Sequence, residues 1–238
     1  MAVSFRAKPR GSLTILWDVD GTLLECSSGS ASLHRQVLAQ VLGEPSPLLQ
    51  SLSAPVQGST DFGIFYRWLI TLQVEAPQFH AERAVDLLER VASERTPSAV
   101  PVPGSLAALQ RATDLGVRAL AFTGNSYGRA KVKLLQTPFE TLLEVEPCLT
   151  GSRARSKAEM LRDAQSWLLE MRRTIIAIVG DTPADIEAAR ALRIPSVAVA
   201  TGLHSPDQLQ ECNPDVYLKD WSSTTGHWDK ALRCLLSR

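Results

Sequence analysis

Short, continuous apolar runs are the feature that most constrains how this chain can fold. Three of them span residues 13–19, 117–123 and 175–180, and two weaker candidates follow at 194–201 and 216–218. Strands that are apolar throughout, rather than at alternate positions, are typical of a parallel sheet covered on both faces. A helical pattern follows each of the three runs, so the sequence predicts the α/β class, with an open parallel sheet flanked by helices.

The stretch between the first and second predicted strands is too long for a single crossover helix. It predicts three or four helices, including 31–42, 60–72 and 81–95. Prolines and a glycine between residues 97 and 104 then interrupt the helical pattern. We therefore expect an inserted helical domain over residues 25–97 and a core built from residues 1–24 and 98–238.

Charge and composition exclude several classes of protein. Lys and Arg total 25, as do Asp and Glu, and a zero net charge does not suit a nucleic-acid or acidic-membrane binder. No run of about 18 apolar residues is present, so no membrane span is predicted. The cysteines lack CxxC spacing, which indicates free thiols in a reducing cytosol. They are Cys26, Cys148, Cys212 and Cys234. We expect a cytoplasmic protein whose first residues form an exposed tail.

Acidic pairs follow two of the predicted strands. Asp18 and Asp20 end the first run, and Asp181 and Asp185 follow the third. Ligands of open parallel sheets bind beyond the carboxyl ends of the strands. Helix capping would explain Asp181 or Asp185 singly, but it does not explain acidic pairs at two strand ends. Carboxylates crowded in this way stay ionised together only beside a cation, and hard oxygen ligands suit Mg²⁺.

A cation site of this kind suits a phosphorylated substrate, and the sequence offers donors for the phosphate. Thr123 ends the second run and is followed by Gly124 and Asn125 at the start of a helical pattern. A hydroxyl and the amides of a helix N-terminus can hold a phosphoryl group. Lys157, just before a helix predicted over 158–169, is the expected cation. Two nearby residues compete with it for this role, Arg153 and Arg155.

Together these segments resemble the haloacid dehalogenase superfamily of phosphohydrolases. WDVDGT, AFTGN, Lys157 and GDTPAD are similar to its four motifs in order and spacing, over about Leu13 to Leu218. The stretch PGSLAALQRATDLGVRALAFTGN, with Lys133-Leu134 beyond it, looks like the phosphoglycolate-phosphatase-like branch. The resemblance implies a Rossmann-like core and identifies the inserted helices as a cap domain.

The resemblance also implies an activity, that of a Mg²⁺-dependent phosphatase acting on a small phosphorylated metabolite. Asp18 would be the nucleophile that forms an aspartyl-phosphate, and Asp20 would be the general acid and then the base. Mg²⁺ would be held by Asp18, the backbone carbonyl of Asp20 and Asp181, with Asp185 orienting its waters. The phosphoryl oxygens would be held by Thr123, Gly124, Asn125 and Lys157.

Three alternatives stay open at this point. A phosphosugar mutase would use the same motifs and differ in how the cap excludes water. A serine hydrolase would use Ser126 of the segment GNSYG, with Asp181 and either His204 or His227. A non-catalytic binding protein would have no need of the two acidic residues in WDVDGT. The sequence is compatible with a monomer or a homodimer.

Two further features predict local structure. The segment 57–61 lies between two cap helices, where Ser59 or Thr60 would cap the following helix, or Thr60 or Arg67 would contact the substrate. Trp17, in the first strand, is expected to point to the face opposite the carboxylates and to pack under a helix.

Overall fold

The central element is a five-stranded parallel sheet. The structure is a computed structural model that describes residues 12–26, 30–43, 47–53, 58–94, 99–135, 137–221 and 224–237. The strands are β1 (Ser12–Trp17), β2 (Arg118–Ala121), β3 (Arg173–Gly180), β4 (Ser196–Val199) and β5 (Val216–Leu218). Their order is β2-β1-β3-β4-β5, and all neighbours pair in parallel. The predicted α/β sheet is confirmed, and β1 and β3 lie side by side within it.

Helices cover both faces of the sheet and form the insertion. Those of the insertion are α1 (Ser30–Leu42), α2 (Pro47–Gln50), α3 (Asp61–Thr71) and α4 (Pro77–Glu94). Those of the core are α5 (Ser105–Asp114), α6 (Tyr127–Leu134), α7 (Lys157–Asp163), α8 (Gln165–Glu170), α9 (Pro183–Ala191), α10 (Pro206–Glu211) and α11 (Thr224–Leu236). The single helix expected over 158–169 is divided at Ala164, where ψ is −8°. Among the described helices, none is long and apolar enough to span a bilayer.

Alternate residues of β1 face the two helical layers. Trp17 belongs to the apolar cluster that α5 and α11 cover, whereas Leu16 belongs to the cluster covered by α7 and α9. The Trp17 ring lies 5.4 Å from that of Trp228 and 5.8 Å from that of Trp221, centroid to centroid. The expected packing of Trp17 under a helix is thus confirmed. Because side chains alternate along a strand, the residue after Trp17 faces the opposite layer.

The insertion has an apolar core of its own. Residues of α1, α3 and α4 pack together there, including Val37, Phe65, Trp68 and Leu88. The two connections to the sheet run side by side: Glu25 N donates to Val100 O (2.8 Å) and Val102 N to Leu23 O (2.9 Å). The helical insertion is therefore packed around its own apolar residues and joined to the sheet by two adjacent connections. Its predicted limits at residues 25 and 97 stay a prediction, since residues 95–98 and the tail 1–11 lie outside the described ranges.

We predict that Trp228→Ala lowers the free energy of unfolding by about 3–5 kcal/mol, the usual cost of truncating a buried aromatic residue. Trp228 is 2% exposed, and its Nε1 donates to Ala108 O at 2.9 Å. Denaturant unfolding measures the change. Leu169, which is 76% exposed, is the control, and Leu169→Ala should alter stability by no more than about 0.5 kcal/mol. Equal effects of the two substitutions would contradict the packing described for α11.

Candidate active site

The pairing of β1 with β3 brings the predicted carboxylates together. Trp17 is in register with Val179, and Asp18 N donates to Val179 O at 2.8 Å. Asp18 and Asp181 therefore follow adjacent strand ends. Carboxylate oxygens of Asp18, Asp181 and Asp185 lie within 4.8 Å of one another, and all three residues are buried. The acidic residues that the sequence placed at one edge of the sheet do meet there.

Lys157 lies among these carboxylates. Its Nζ is 2.8 Å from Asp18 Oδ1 and 2.7 Å from Asp185 Oδ1. The side chain is 1% exposed, because α7 begins at Lys157 and packs against α9. Both competing arginines, Arg153 and Arg155, are exposed. The structure thus brings Lys157, rather than either arginine, to the predicted nucleophile.

One ammonium does not balance three buried carboxylates. Burial raises the pKa of Asp18 to about 7, because the loss of solvation, with repulsion from Asp185, outweighs the attraction of Lys157. Burial and repulsion from Asp18 and Asp185 raise the pKa of Asp181 well above its usual value. The pKa of Lys157 is itself raised, since its two carboxylate partners outweigh its burial. The cluster needs further positive charge to be fully ionised at neutral pH.

The chemistry of the donors fits a divalent cation. Thr22 Oγ1 donates to Asp181 Oδ1 at 2.9 Å, whereas Asp181 Oδ2 is buried and has no hydrogen-bond partner among the described residues. Gly21 and Gly202 lie against this oxygen, and a Cβ on either would approach it to 2.3 and 1.7 Å. A buried carboxylate oxygen without a donor, beside other carboxylates, is what a hard cation such as Mg²⁺ binds.

Asp185 is held differently from the other two aspartates. Its Oδ1 accepts from Lys157, and its Oδ2 accepts from Thr182 Oγ1 (2.6 Å) and Thr182 N (3.2 Å). The bond from Thr182 N belongs to a capping box at the start of α9, where Thr182 is the N-cap residue. Both oxygens of Asp185 are therefore engaged by protein donors. Its direct contact is with Lys157, and any effect of Asp185 on a metal ion remains a prediction.

Asp20 is bound by donors from the segment after β2. Lys133 Nζ lies 2.7 Å from both Asp20 carboxylate oxygens, and Asn125 Nδ2 donates to Oδ2 at 2.5 Å. Burial alone would raise the pKa of Asp20, but the charge and hydrogen bond of Lys133 outweigh it, so the pKa is lowered. Sequence analysis gave Lys133 no role. Its position eight residues after Asn125, about two helical turns, was the available signal.

Thr123, Gly124 and Asn125 lie at the same edge of the sheet. Phe122 N donates to Trp17 O at 2.7 Å, so the residues after β2 lie beside those after β1. Thr123 Oγ1 accepts from Asn125 N (3.2 Å) and Asn125 Nδ2 (2.8 Å). The structure thus places the three predicted phosphate-binding residues next to the carboxylates, with the Thr123 hydroxyl buried.

The cap segment 58–61 lies directly on this edge. Asp61 N donates to Gly124 O at 2.8 Å, and a Cβ on Gly124 would come within 2.3 Å of Ser59 O. At the other end of the segment, a Cβ on Gly58 would come within 2.6 Å of Thr182 Oγ1. The segment therefore crosses from the loop after β3 to the loop after β2.

Of the two residues expected to cap the following helix, Thr60 does so. Its Oγ1 accepts from Gly63 N at 3.0 Å and donates to Ala154 O at 2.5 Å. Thr60 is buried by these contacts, whereas Arg67 is exposed and donates to Ser59 Oγ at 3.3 Å. Substrate contact by Arg67 stays a prediction. Residue 57, the first of the predicted segment, lies outside the described residues.

Ser126 does not have the surroundings of a catalytic serine. Its Oγ is buried, and no hydrogen-bond partner for it exists within the described part of the chain. His204 Nε2 also lacks a partner there, so it does not contact this hydroxyl. A serine nucleophile is activated by a base within hydrogen-bond reach. The geometry therefore does not support the serine-hydrolase alternative.

Comparisons with known proteins agree with this geometry. Residues 13–193 match the family model of haloacid dehalogenase-like hydrolases. The chain is 31% identical over 199 residues to the plasmid phosphoglycolate phosphatase of Cupriavidus necator, covering 81% of this chain and 82% of that protein.

Two solved structures share the fold. One is described as a predicted phosphatase from Clostridium acetobutylicum, with a TM-score of 0.63, 16% identity and coverage of 96% of this chain and 99% of that one. The other is a candidate beta-phosphoglucomutase from Bacteroides vulgatus, with a TM-score of 0.61, 16% identity and coverage of 96% and 92%.

We predict that without divalent ions the protein loses stability as the pH rises through the range in which Asp18 titrates. The pKa of Asp18 is 3.8 in the unfolded chain and about 7 in the folded one. Between these values the unfolded state releases its proton more readily, so rising pH favours unfolding. Asp181→Asn removes a repelling charge and should flatten this dependence. Urea unfolding at pH 5 and pH 8 measures it.

The matched control is Asp229→Asn, which removes a carboxylate that is 34% exposed and pairs with Arg111. The free energy of unfolding of Asp181→Asn minus that of wild type should increase from pH 5 to pH 8. The corresponding difference for Asp229→Asn should not change. A difference between Asp181→Asn and wild type that does not change with pH would contradict the repulsion among the buried carboxylates.

Proposed function

Because the chain belongs to the haloacid dehalogenase-like hydrolase family, we propose that it is a Mg²⁺-dependent phosphatase that releases phosphate from a small phosphorylated metabolite through an aspartyl-phosphate. One observation carries this proposal. A buried aspartate, Asp18, is held by Lys157 at the junction of two strands, and a second aspartate, Asp20, is held two residues away by separate donors. Two carboxylates in different surroundings suit the roles of nucleophile and of acid and base.

In the proposed first step Asp18 attacks the phosphorus atom and the leaving-group oxygen departs. Lys157 orients the Asp18 carboxylate through the 2.8 Å contact to Oδ1. Phosphoryl transfer depends chiefly on such positioning and on neutralising charge. Asp20 gives a proton to the leaving oxygen, which requires that it take up a proton when the substrate binds.

In the second step water hydrolyses the aspartyl-phosphate, and Asp20 accepts the proton of that water. The Lys133 ammonium lowers the pKa of Asp20 in the free protein, so Asp20 is held as the carboxylate that this step requires. Hydrogen bonds from Asn125 and Lys133 fix the direction in which its oxygens point. Splitting the reaction into two displacements is the usual gain from a carboxylate nucleophile.

The groups that would hold Mg²⁺ are Asp18, Asp181 and the backbone carbonyl of Asp20. Asp185 would act on the ion indirectly, through its contact with Lys157. The chemistry that the ion supplies when bound is neutralisation of the charge on the phosphoryl oxygens. Asp181 Oδ2, which has no hydrogen-bond partner within the described ranges, supports this assignment. Thr123, Gly124, Asn125 and Lys157 are the proposed donors to the phosphoryl oxygens.

The relative from Cupriavidus necator makes phosphoglycolate the first compound to test. A phosphosugar mutase is the second candidate, because the cap segment 58–61 lies on the loops after β2 and β3 and so covers the carboxylates. A mutase needs such a cover to keep water from the phosphorylated aspartate. The two candidates differ in product, since a mutase returns an isomerised sugar phosphate and a phosphatase returns inorganic phosphate.

We also propose that the protein acts in the cytoplasm. Among the described residues, no disulfide joins its four cysteines, which are Cys26, Cys148, Cys212 and Cys234. Burial and the nearby Asp181, Asp20 and Asp18 carboxylates raise the pKa of Cys26 to about 12, so this thiol stays protonated beside the site. We expect no nucleic-acid or membrane partner, and either a monomer or a homodimer.

We predict that a panel of phosphorylated metabolites, assayed with Mg²⁺ for released phosphate, contains at least one substrate. Chelation by EDTA should abolish release, and Asp18→Asn should lower kcat by about 10³-fold or more because the nucleophile is lost. Because asparagine is close to aspartate in size and shape, we expect Asp18→Asn to fold, and urea unfolding checks that it does. Release that persists in EDTA, or unchanged in Asp18→Asn, would overturn the proposed function.

We predict that Lys157→Ala lowers kcat by about 10²-fold or more, because the positive charge beside Asp18 and the phosphate is lost. Arg153→Ala is the matched control, since Arg153 is four residues away and exposed. It should leave kcat within about twofold of wild type, as exposed charges contribute little. Steady-state kinetics on the best substrate decide between them, and the reverse ranking would contradict the assignment of Lys157.

A further inference from the structure

A second buried ionic cluster lies where the cap meets the core, and its centre is Asp61. The carboxylate of this cap residue accepts hydrogen bonds from Arg129 of the core, from His34 of the cap at 2.8 Å, and from Ser126 N at 2.7 Å. Asp61 is 3% exposed, His34 is fully buried and Arg129 is 7% exposed. Sequence analysis assigned no chemical role to Asp61, His34 or Arg129.

Attachment of the cap does not by itself require this cluster. The first turn of α3 already docks on the core through backbone bonds, including that from Phe62 N to Gly151 O at 3.0 Å. Burial raises the pKa of Asp61, but Arg129, His34 and the Ser126 amide outweigh it, so the pKa is lowered and the carboxylate is ionised. Ionic groups buried at such a cost stabilise little over apolar contacts, and the best-attested use of such groups is to fix one geometry.

The geometry that Asp61 fixes is that of α6. Ser126, whose amide Asp61 binds, is the N-cap residue of this helix, and Arg129 lies in its first turn. Lys133 is four residues after Arg129, so the two side chains share one face of the helix. Arg129 meets the cap carboxylate, and Lys133 meets both oxygens of Asp20.

Asn125, the residue before Ser126, also connects this segment to Asp20. Asn125 Nδ2 donates to Asp20 Oδ2, and Asn125 Oδ1 accepts from Lys133 Nζ at 3.0 Å. The side chains that hold Asp20, those of Asn125 and Lys133, therefore come from one segment. Asp61 anchors that segment through the Ser126 amide and the Arg129 side chain. Displacement of the cap from α6 would alter both contacts together.

We propose that Asp61 is a positioning residue, by which the docked cap holds α6 so that Asn125 and Lys133 orient the Asp20 carboxylate. This inference rests on the proposed function, since it gives Asp20 its part in catalysis. Asp61 does not touch Asp20 itself, and its effect passes through Ser126 and Arg129. The cap thereby completes the acid and base group of the core only when it is docked.

A double-mutant cycle on kcat tests the proposal. Asp61→Asn alone should lower kcat by about 10-fold or more, and Lys133→Met should lower it at least as much. Because Asp61 acts on Asp20 in part through Lys133, the loss in the double variant should be clearly smaller than the product of the two single losses. A role in stability alone would leave kcat of the folded Asp61→Asn protein intact, and independent roles would make the two losses multiply. Either result overturns the proposal.

The matched control is Glu144→Gln, which removes a carboxylate whose partner Arg173 is itself a buried cation. Glu144 binds Arg118 at 2.9 Å and Arg173 at 2.7 Å, at the starts of β2 and β3 and away from the carboxylates. It should leave kcat within about twofold of wild type. Arg129→Gln supplies a second variant if Asp61→Asn folds poorly, and it should give the same loss and the same non-additivity with Lys133→Met.

Hydrogen exchange separates this inference from the proposed function. In Asp61→Asn, amides of residues 127–134 should exchange faster than in wild type, and in Glu144→Gln they should not. If the wild-type protein releases no phosphate from any compound, the proposed function is wrong, and hydrogen exchange alone then tests whether Asp61 holds α6. Unchanged exchange in α6 of Asp61→Asn would overturn the proposal that Asp61 is a positioning residue.

Discussion

Three aspartates buried at the joined ends of β1 and β3 impose the electrostatic condition that the rest of the site must satisfy. Their mutual repulsion and loss of hydration raise the pKa of Asp18 and Asp181, and Lys157 supplies only one compensating charge. Such an arrangement is costly unless a cation or a substrate completes it. Strand order creates this condition, because β1 and β3 are neighbours and an acidic residue directly follows each of them. The electrostatic free energy of the unliganded site is therefore unfavourable, and binding of a cation lowers it.

The second carboxylate, Asp20, is governed by different elements. Its donors come from the segment between β2 and the end of α6, and that segment is anchored by a residue of the cap. The proposed nucleophile therefore depends on the sheet and on α7, whereas the proposed acid and base group depends on how the inserted helices dock on the core. This division gives a physical reason for an insertion placed directly after the first acidic pair. On this proposal, docking of the inserted helices and completion of the site are one event.

Sequence alone predicted the parts of the site that follow from strand order. Carboxyl ends of parallel strands share one edge, so Asp18, Asp181 and Thr123 were predictable from apolar runs and their ends. Lys157 was predicted as the cation from its place just before a helix, in competition with two arginines, and the structure supplies the deciding contact, the first turn of α7 packed against α9. The division of the helix at Ala164 was not predicted, because residues 158–169 contain no proline or glycine to mark a break.

Asp61, Arg129 and Lys133 were missed for a common reason. Each acts across the boundary between cap and core, and a charged residue on a helix is usually solvated, so its partner appears only when the helices are docked. The spacing of Arg129 and Lys133 placed them on one face but did not say what that face meets. The segment 57–61 predicts a helix start, which accounts for Thr60 and not for the buried carboxylate beside it.

The most direct test is to find where the phosphoryl group goes. Rapid acid quench of the enzyme during turnover, followed by peptide mapping by mass spectrometry, locates any phosphorylated side chain. We expect a phosphoryl group on Asp18, in the peptide that contains the end of β1, and none in the Asp18→Asn protein. A phosphoryl group on another residue, or phosphate release without any phosphorylated aspartate, would contradict it.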